Sequence, residues 1–94
     1  MTRRVSFTTE ALDQFRYWAR RDNKRWEKIN ELIDSACRTP FDGIGHPEAL
    51  KADLHGYFSR RIAEDDRLVY GVSDDEITII SCRYHYDRIR LPDD

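Results

Sequence analysis

Apolar residues recur at two different spacings along the chain, and the change in spacing divides it into a helical first half and a β-rich second half. At the start, Val5 and Phe7 alternate with polar neighbours, which predicts a short strand over residues 3–7. Behind this strand the apolar positions move to a spacing of three or four residues, the period of an amphipathic helix. We therefore expect one strand to precede a helical segment.

Two helices are predicted in the helical segment. Thr8 or Thr9 can cap the first helix and Asp22 the second, while Pro40 marks the end of the second because proline cannot continue a helix. The apolar stripes of the two helices contain Leu12, Phe15 and Trp18, then Trp26, Ile29, Ile33 and Ala36. Both tryptophans are therefore expected to be core residues, and the two helices are expected to form a hairpin.

The segment 39–47 is expected to be an ordered loop, because it contains two prolines and two glycines in nine residues. Phe41 and Ile44 lie inside it, and we expect these apolar side chains to pin the loop to the rest of the protein.

The remainder is predicted to be β-structure, with turn signals between strands that should pair antiparallel. The predicted strands are a weak one over 50–54 and three further ones over 57–62, 68–72 and 77–82. The last two are apolar on both faces, as central strands are. The expected fold class is α+β, in which the N-terminal strand and the helical hairpin pack on one face of a mostly antiparallel five-stranded sheet. The opposite face would be partly open.

Composition favours one soluble domain. The chain has 94 residues, of which 39% are hydrophobic and 36% charged, and no apolar run is long enough for a membrane span. The apolar stretch of a signal peptide does not follow the N-terminal arginines, so we expect a cytoplasmic protein. Cys37 and Cys82 are interpreted as reduced core residues, because neither has a second ligand at metal spacing.

The net charge and the distribution of charge point in different directions on whether the protein binds nucleic acid. The net charge of −2 argues weakly against a general nucleic-acid binder. Basic residues nevertheless cluster along the predicted hairpin between Arg16 and Lys28, and most basic residues of the chain are arginines, which suit phosphate. Taken alone, this cluster is more often a solvated helix face.

Three polar residues at loop and strand ends could cooperate in chemistry. Glu48 follows Pro47, Arg67 opens one strand and His85 follows another, and a meander can bring such positions together. A carboxylate base, a guanidinium that stabilises negative charge and an imidazolium acid are the groups that RNA cleavage by its own 2′-hydroxyl requires. Each residue alone is more often a surface or structural one.

Several segments taken together resemble the YoeB toxin family, within the RelE-like toxin superfamily. The resemblance extends from about Val5 to Tyr86 in the same order and with nearly the same spacing. It is carried by residues 28–33 (KINELI), 38–48 (RTPFDGIGHPE), 59–62 (SRRI), 67–70 (RLVY) and 82–86 (CRYHY).

The resemblance assigns catalytic roles to four residues. It implies that Glu48 is the general base, Arg67 the stabiliser of the transition state, His85 the general acid and Tyr86 a residue that places the RNA. It also implies that two further residues bind RNA, namely Arg61 and Lys51.

The resemblance further implies the activity and the partners. Members of the family cleave messenger RNA in the ribosomal A site without a metal or other cofactor. Their partners are the ribosome, the message and a YefM/Phd-type antitoxin whose disordered C-terminal segment folds onto the toxin. A homodimer is possible, operator DNA is reached only through the antitoxin, and no membrane is involved.

This sequence departs from the family pattern at three places. Ala49 replaces a common proline and Phe58 a common tryptophan, and residues 87–94 form a short tail after the toxin domain of residues 1–86. Two rival hypotheses stay open: a non-enzymatic toxin of the same fold that poisons gyrase, and a degenerate protein-binding module. The joint presence of the four catalytic candidates favours the nuclease, and no role is assigned to His46 or His55.

Overall fold

The computed structural model describes residues 3–85, 89 and 91, and the structural statements below concern these residues. Tyr86 and most of the tail lie outside them, so the division into residues 1–86 and 87–94 stays a prediction. The elements follow in the order β1 (Arg4–Phe7), α1 (Thr9–Arg21), α2 (Asn23–Arg38), β2 (Glu48–Ala49), a 3-10 turn (Ala52–Leu54), β3 (Tyr57–Arg61), β4 (Arg67–Val72) and β5 (Glu76–Ser81).

The five strands form one mixed sheet in the order β1-β5-β4-β3-β2. The four later strands pair antiparallel, and β1 pairs parallel with β5 at the opposite edge from β2. The predicted α+β fold, with an N-terminal strand and a mostly antiparallel five-stranded sheet, is confirmed.

The helical hairpin is confirmed together with its caps. Thr8 Oγ1 accepts a hydrogen bond from the backbone N–H of Ala11 at 3.2 Å, and Asp22 Oδ1 accepts one from that of Arg25 at 3.2 Å. Both tryptophans contribute to the core between the helices and one sheet face, as predicted. Neither helix in the described chain is long and apolar enough to cross a membrane.

The predicted strand over 50–54 is wrong. The paired residues are Glu48 and Ala49, and the last bond of this short ladder runs from Leu50 N to Tyr57 O at 2.9 Å. Ala52 then adopts a φ of 55°, in the left-handed region, and the chain closes into the 3-10 turn. Since an extended strand requires negative φ, pairing cannot continue through this residue.

Candidate functional site

A cleft of about 180 Å³ opens on the sheet face opposite the helices. Arg60 of β3 points towards the helices, where it contacts Ser35 of α2, so its neighbours Ser59 and Arg61 point to the open face. The side chains that line the cleft are His46, Glu48, Ser59, Arg61, Arg67 and His85.

Strand register places the cleft residues beside one another. Glu48 of β2 lies opposite Ser59 of β3, and Arg61 of β3 lies opposite Arg67 of β4. Directly opposed residues of antiparallel strands project to the same face with Cβ atoms about 4.5–5.5 Å apart. A carboxylate and two guanidinium groups therefore share one surface through backbone pairing.

Two glycines shape the loop that leads to Glu48. Gly43 and Gly45 have φ values of 111° and 82°, which side-chain-bearing residues rarely adopt. An added Cβ would lie 2.4 Å from Ser35 Oγ at Gly43 and 2.5 Å from Leu32 Cδ2 at Gly45. Only glycine therefore lets the loop lie this close to α2.

His46 follows directly and is brought to the cleft by the same loop. The carbonyl of Gly45 accepts a hydrogen bond from the backbone N–H of Arg61 at 2.7 Å, which ties the loop to the end of β3. His46 has a φ of 52°, a strained conformation that histidine tolerates better than most residues. Strain of this kind is concentrated at functional sites in proteins.

The loop is held by the buried Arg60 as well as by Phe41, one of the two apolar side chains expected to pin it. Phe41 and Ile44 are 60% and 45% exposed, although the Phe41 ring packs against Phe58 with centroids 5.0 Å apart. Arg60 is fully buried and its five N–H groups meet five acceptors. These acceptors are Tyr70 Oη, Ser35 Oγ and the carbonyls of Ile44, Thr39 and Asp42, at 2.7–3.0 Å.

Tyr70 completes this network beneath the loop. Its hydroxyl accepts the bond from Arg60 Nε at 2.9 Å and donates one to the carbonyl of Pro40 at 2.8 Å. Burial raises the pKa of Tyr70, and the adjacent Arg60 opposes part of that rise. The phenol therefore remains a hydrogen-bond donor at neutral pH.

Arg67 is oriented by the loop that joins β3 to β4. Its Nη1 donates to the carbonyls of Ala63, Glu64 and Asp66 at 2.6, 3.0 and 3.1 Å. Within the described residues, every hydrogen bond of this guanidinium passes through Nη1. The Nε and Nη2 groups are thus available for a ligand in the cleft.

Asp66 anchors the segment that carries His85. Asp66 is 6% exposed, and its carboxylate forms an ion pair with Arg25 and accepts a hydrogen bond from the backbone N–H of Tyr84 at 2.7 Å. The carbonyl of Tyr84 in turn accepts a bond from Arg67 N at 3.0 Å. Arg25, whose side chain is 35% exposed, is therefore only partly solvated, which departs from the solvated helix face favoured for the basic cluster taken alone.

The structure brings four of the six predicted site residues into the cleft: Glu48, Arg61, Arg67 and His85. Lys51 is exposed just before the 3-10 turn and does not line the cleft, and Tyr86 lies outside the described residues. Sequence reasoning missed His46 and Ser59. The position of His46 two residues before Glu48 was an available signal, whereas Ser59 requires the register of β3.

Neither the cysteines nor the metal-ligating side chains of the described residues form a second candidate site. Both Cys37 and Cys82 are buried free thiols, as predicted. Burial, and to a smaller extent Asp66, raises the pKa of Cys82 to about 12. The described part of the chain contains no group of three or more His, Cys, Asp or Glu side chains placed to hold a metal ion.

Comparison with known proteins places this cleft in a family context. The profile of the YoeB-like toxin of bacterial type II toxin-antitoxin systems matches residues 7–86. Toxin YoeB of Escherichia coli K12 is 49% identical over 83 residues, which cover 88% of this chain and 99% of that protein.

Solved structures of YoeB proteins are also similar to this chain. The YoeB dimer from Staphylococcus aureus is 45% identical with a TM-score of 0.85, covering 92% of this chain and 100% of that one. The heterotetrameric YoeB-YefM toxin-antitoxin complex from the same organism gives 45% identity, a TM-score of 0.83 and the same coverage. A mutant of YafQ from E. coli is only 14% identical, with a TM-score of 0.74 over 88% of this chain and 93% of that one, and shares the fold alone.

Proposed function

The chain belongs to the YoeB-like toxins of bacterial type II toxin-antitoxin systems, and from this we propose that it is a metal-independent endoribonuclease that cleaves messenger RNA in the ribosomal A site and so inhibits translation. The observation that supports the proposal is that Glu48, Arg67 and His85 line the same cleft. Such a cleft contains a base, an acid and a fixed positive charge within reach of one phosphodiester.

In the proposed reaction the Glu48 carboxylate removes the proton of a ribose 2′-hydroxyl, and that oxygen attacks the adjacent phosphorus. The bond from phosphorus to the 5′-oxygen breaks as the His85 imidazolium gives its proton to the leaving oxygen. Arg67 stabilises the negative charge on the phosphoryl oxygens in the transition state. The products are a 2′,3′-cyclic phosphate and a 5′-hydroxyl, and DNA is not cut because it lacks the attacking oxygen.

The remaining predicted contacts serve the RNA. Arg61 lies opposite Arg67 on the open face, so its guanidinium can bind a phosphate beside the cut linkage. Lys51, outside the cleft, is proposed to contact the RNA backbone further along, and Tyr86 to place the nucleotide at the cut.

We also propose the partners from the relatives. The S. aureus relatives are a YoeB dimer and a YoeB-YefM complex. By this likeness, our chain binds a YefM/Phd-type antitoxin, can form a homodimer and reaches operator DNA only through that antitoxin. The site of action is then the cytoplasm, on the ribosome.

The test is cleavage of a message on translating ribosomes, read by primer extension. Glu48→Gln, Arg67→Ala and His85→Ala are each expected to abolish the discrete cuts while folding and antitoxin binding are retained. His55→Ala is the matched control, because His55 is exposed and does not line the cleft. Loss of folding in all three variants would make the residues structural.

Two outcomes would favour the rival functions. DNA damage without cuts in the message would indicate a gyrase poison. Growth arrest that survives His85→Ala would indicate a binding module.

A further inference from the structure

A second cavity of about 590 Å³ adjoins the candidate active-site cleft. His46, Arg61 and Arg67 line both cavities, so the two lie side by side. Neither Glu48 nor His85 lines the second cavity, which reaches helix α2 at Lys28. Its volume lies within the range of about 300–1,000 Å³ that is typical of ligand pockets.

The residues that line this second cavity, called the groove below, carry a net positive charge that suits a polyanion. Lys28, Arg61 and Arg67 bring three formal positive charges, and Glu64 brings the one negative charge among the lining residues. Among the described residues, neither Lys28 nor Arg61 forms an ion pair or a side-chain hydrogen bond. These cations differ in this respect from Arg25, which forms ion pairs with both Asp22 and Asp66.

His46 stands where the two cavities meet. Its left-handed backbone, with φ 52°, presents the imidazole between the cleft of Glu48 and the groove of Lys28. The loop below is fixed by Arg60, so this position is defined before any ligand binds. A hydrogen-bond donor and a lysine ammonium on one surface can bind the oxygens of a phosphodiester without reading its base.

We propose that this groove is a second RNA subsite, in which Lys28 and His46 hold the phosphate next to the one that is cut. The inference rests on the proposed ribonuclease function and adds a substrate-binding site to it. Because the contacts are to the backbone, the subsite binds any base and fixes the register of the message in the cleft. Lys28 and His46 are binding residues in this account, since proton transfer belongs to Glu48 and His85.

The matched pair Lys28→Gln and Lys24→Gln tests the subsite. Lys24 is an exposed lysine one turn earlier on α2 and lines neither cavity. In steady-state cleavage of a message on ribosomes, Lys28→Gln is expected to raise KM about fivefold with kcat little changed, as for one partly screened charge contact. Lys24→Gln is expected to match the wild type.

A neutral methylphosphonate in the message identifies the contacted phosphate. Placed at the linkage on one side of the cut, it should raise the wild-type KM by a similar factor and have no added effect on Lys28→Gln. If Lys28→Gln still has a KM about fivefold above that of the wild type when both act on a message with a neutral linkage, whichever side of the cut carries it, the lysine contacts something other than that phosphate and the proposal is overturned.

His46→Gly provides an independent arm, because glycine tolerates the left-handed backbone and has no side-chain donor. It is expected to raise KM by a few-fold and to lose sensitivity to the same methylphosphonate. If the wild type cleaves the message and both Lys28→Gln and His46→Gly behave like it, the subsite alone is overturned. Absence of wild-type cleavage overturns the ribonuclease proposal together with it.

Discussion

Replacement of Arg60 by alanine is expected to be the most destabilising single change in the loop that carries His46 and Glu48. The guanidinium is fully buried and satisfies Tyr70, Ser35 and three backbone carbonyls. Alanine would leave those acceptors buried without donors. Hydrogen bonds to charged groups contribute about 1.5–3 kcal/mol each, but bonds within one network do not add.

A loss of about 3–5 kcal/mol in the free energy of unfolding is therefore expected, similar to the cost of removing one partner from a buried polar network. With a urea m value of about 1–2 kcal/mol/M, the unfolding midpoint falls by roughly 1.5–5 M. Because small domains have only about 5–15 kcal/mol of stability, Arg60→Ala should be close to unfolding at 37 °C.

Urea denaturation followed by circular dichroism measures this effect, with two companion variants. Arg61→Ala is the matched control, since Arg61 neighbours Arg60 on β3 but is exposed, and its midpoint should stay near that of the wild type. Arg60→Lys keeps the charge with three donors instead of five and should lie between the two. An Arg60→Ala midpoint equal to that of Arg61→Ala would refute the role given to this network.

Three further predictions concern other parts of the chain. Trp18→Phe should cost about 1–2 kcal/mol more than Trp26→Phe in thermal unfolding, because Trp18 Nε1 donates to the Cys82 carbonyl at 2.8 Å whereas the buried Trp26 Nε1 has no partner among the described residues. Equal losses would contradict that assignment. Cys82 has a pKa of about 12 in the folded state against a reference of 9.0, so between these pH values only the unfolded chain releases the proton and the free energy of unfolding falls as pH rises. Cys82→Ala should flatten this slope, and an unchanged slope would exclude the thiol as its source. Deletion of residues 87–94 should leave cleavage within a few-fold, whereas a large gain would mean that the tail shields the cleft.

The sequence predicts the helical hairpin well because its signals are local. Thr8 and Asp22 cap the helices through neighbouring backbone groups, and the apolar stripes of the two helices need no distant partner to be recognised. The central strands are equally clear, since they are apolar on both faces.

The parts that could not be predicted depend on distant contacts. The adjacent arginines of β3 are equivalent in the sequence, yet Arg60 is buried beneath a loop and Arg61 is exposed in a cleft. The left-handed backbone of Ala52, which ends the predicted strand over 50–54, carries no residue signal because alanine does not favour it.

The candidate site divides in the same way. Glu48, Arg67 and His85 are candidates from their positions in the sequence and the resemblance adds Arg61, whereas Ser59 is identified only through its register with Glu48. The acidic run at 64–66 gave no indication that Asp66 would be buried and would hold the segment that ends at His85. Tertiary pairing, which no local pattern encodes, decides these positions.

The central claim is that Glu48, Arg67 and His85 act together on one ribose–phosphate linkage through its own 2′-oxygen. The most direct measurement uses a message with a single 2′-deoxynucleotide at the cut site first mapped by primer extension on the all-ribose message, with both messages presented on ribosomes. The account predicts that the substituted message binds equally well and is not cut at that position, while the control yields a 2′,3′-cyclic phosphate end. Continued cutting at the deoxynucleotide would contradict it.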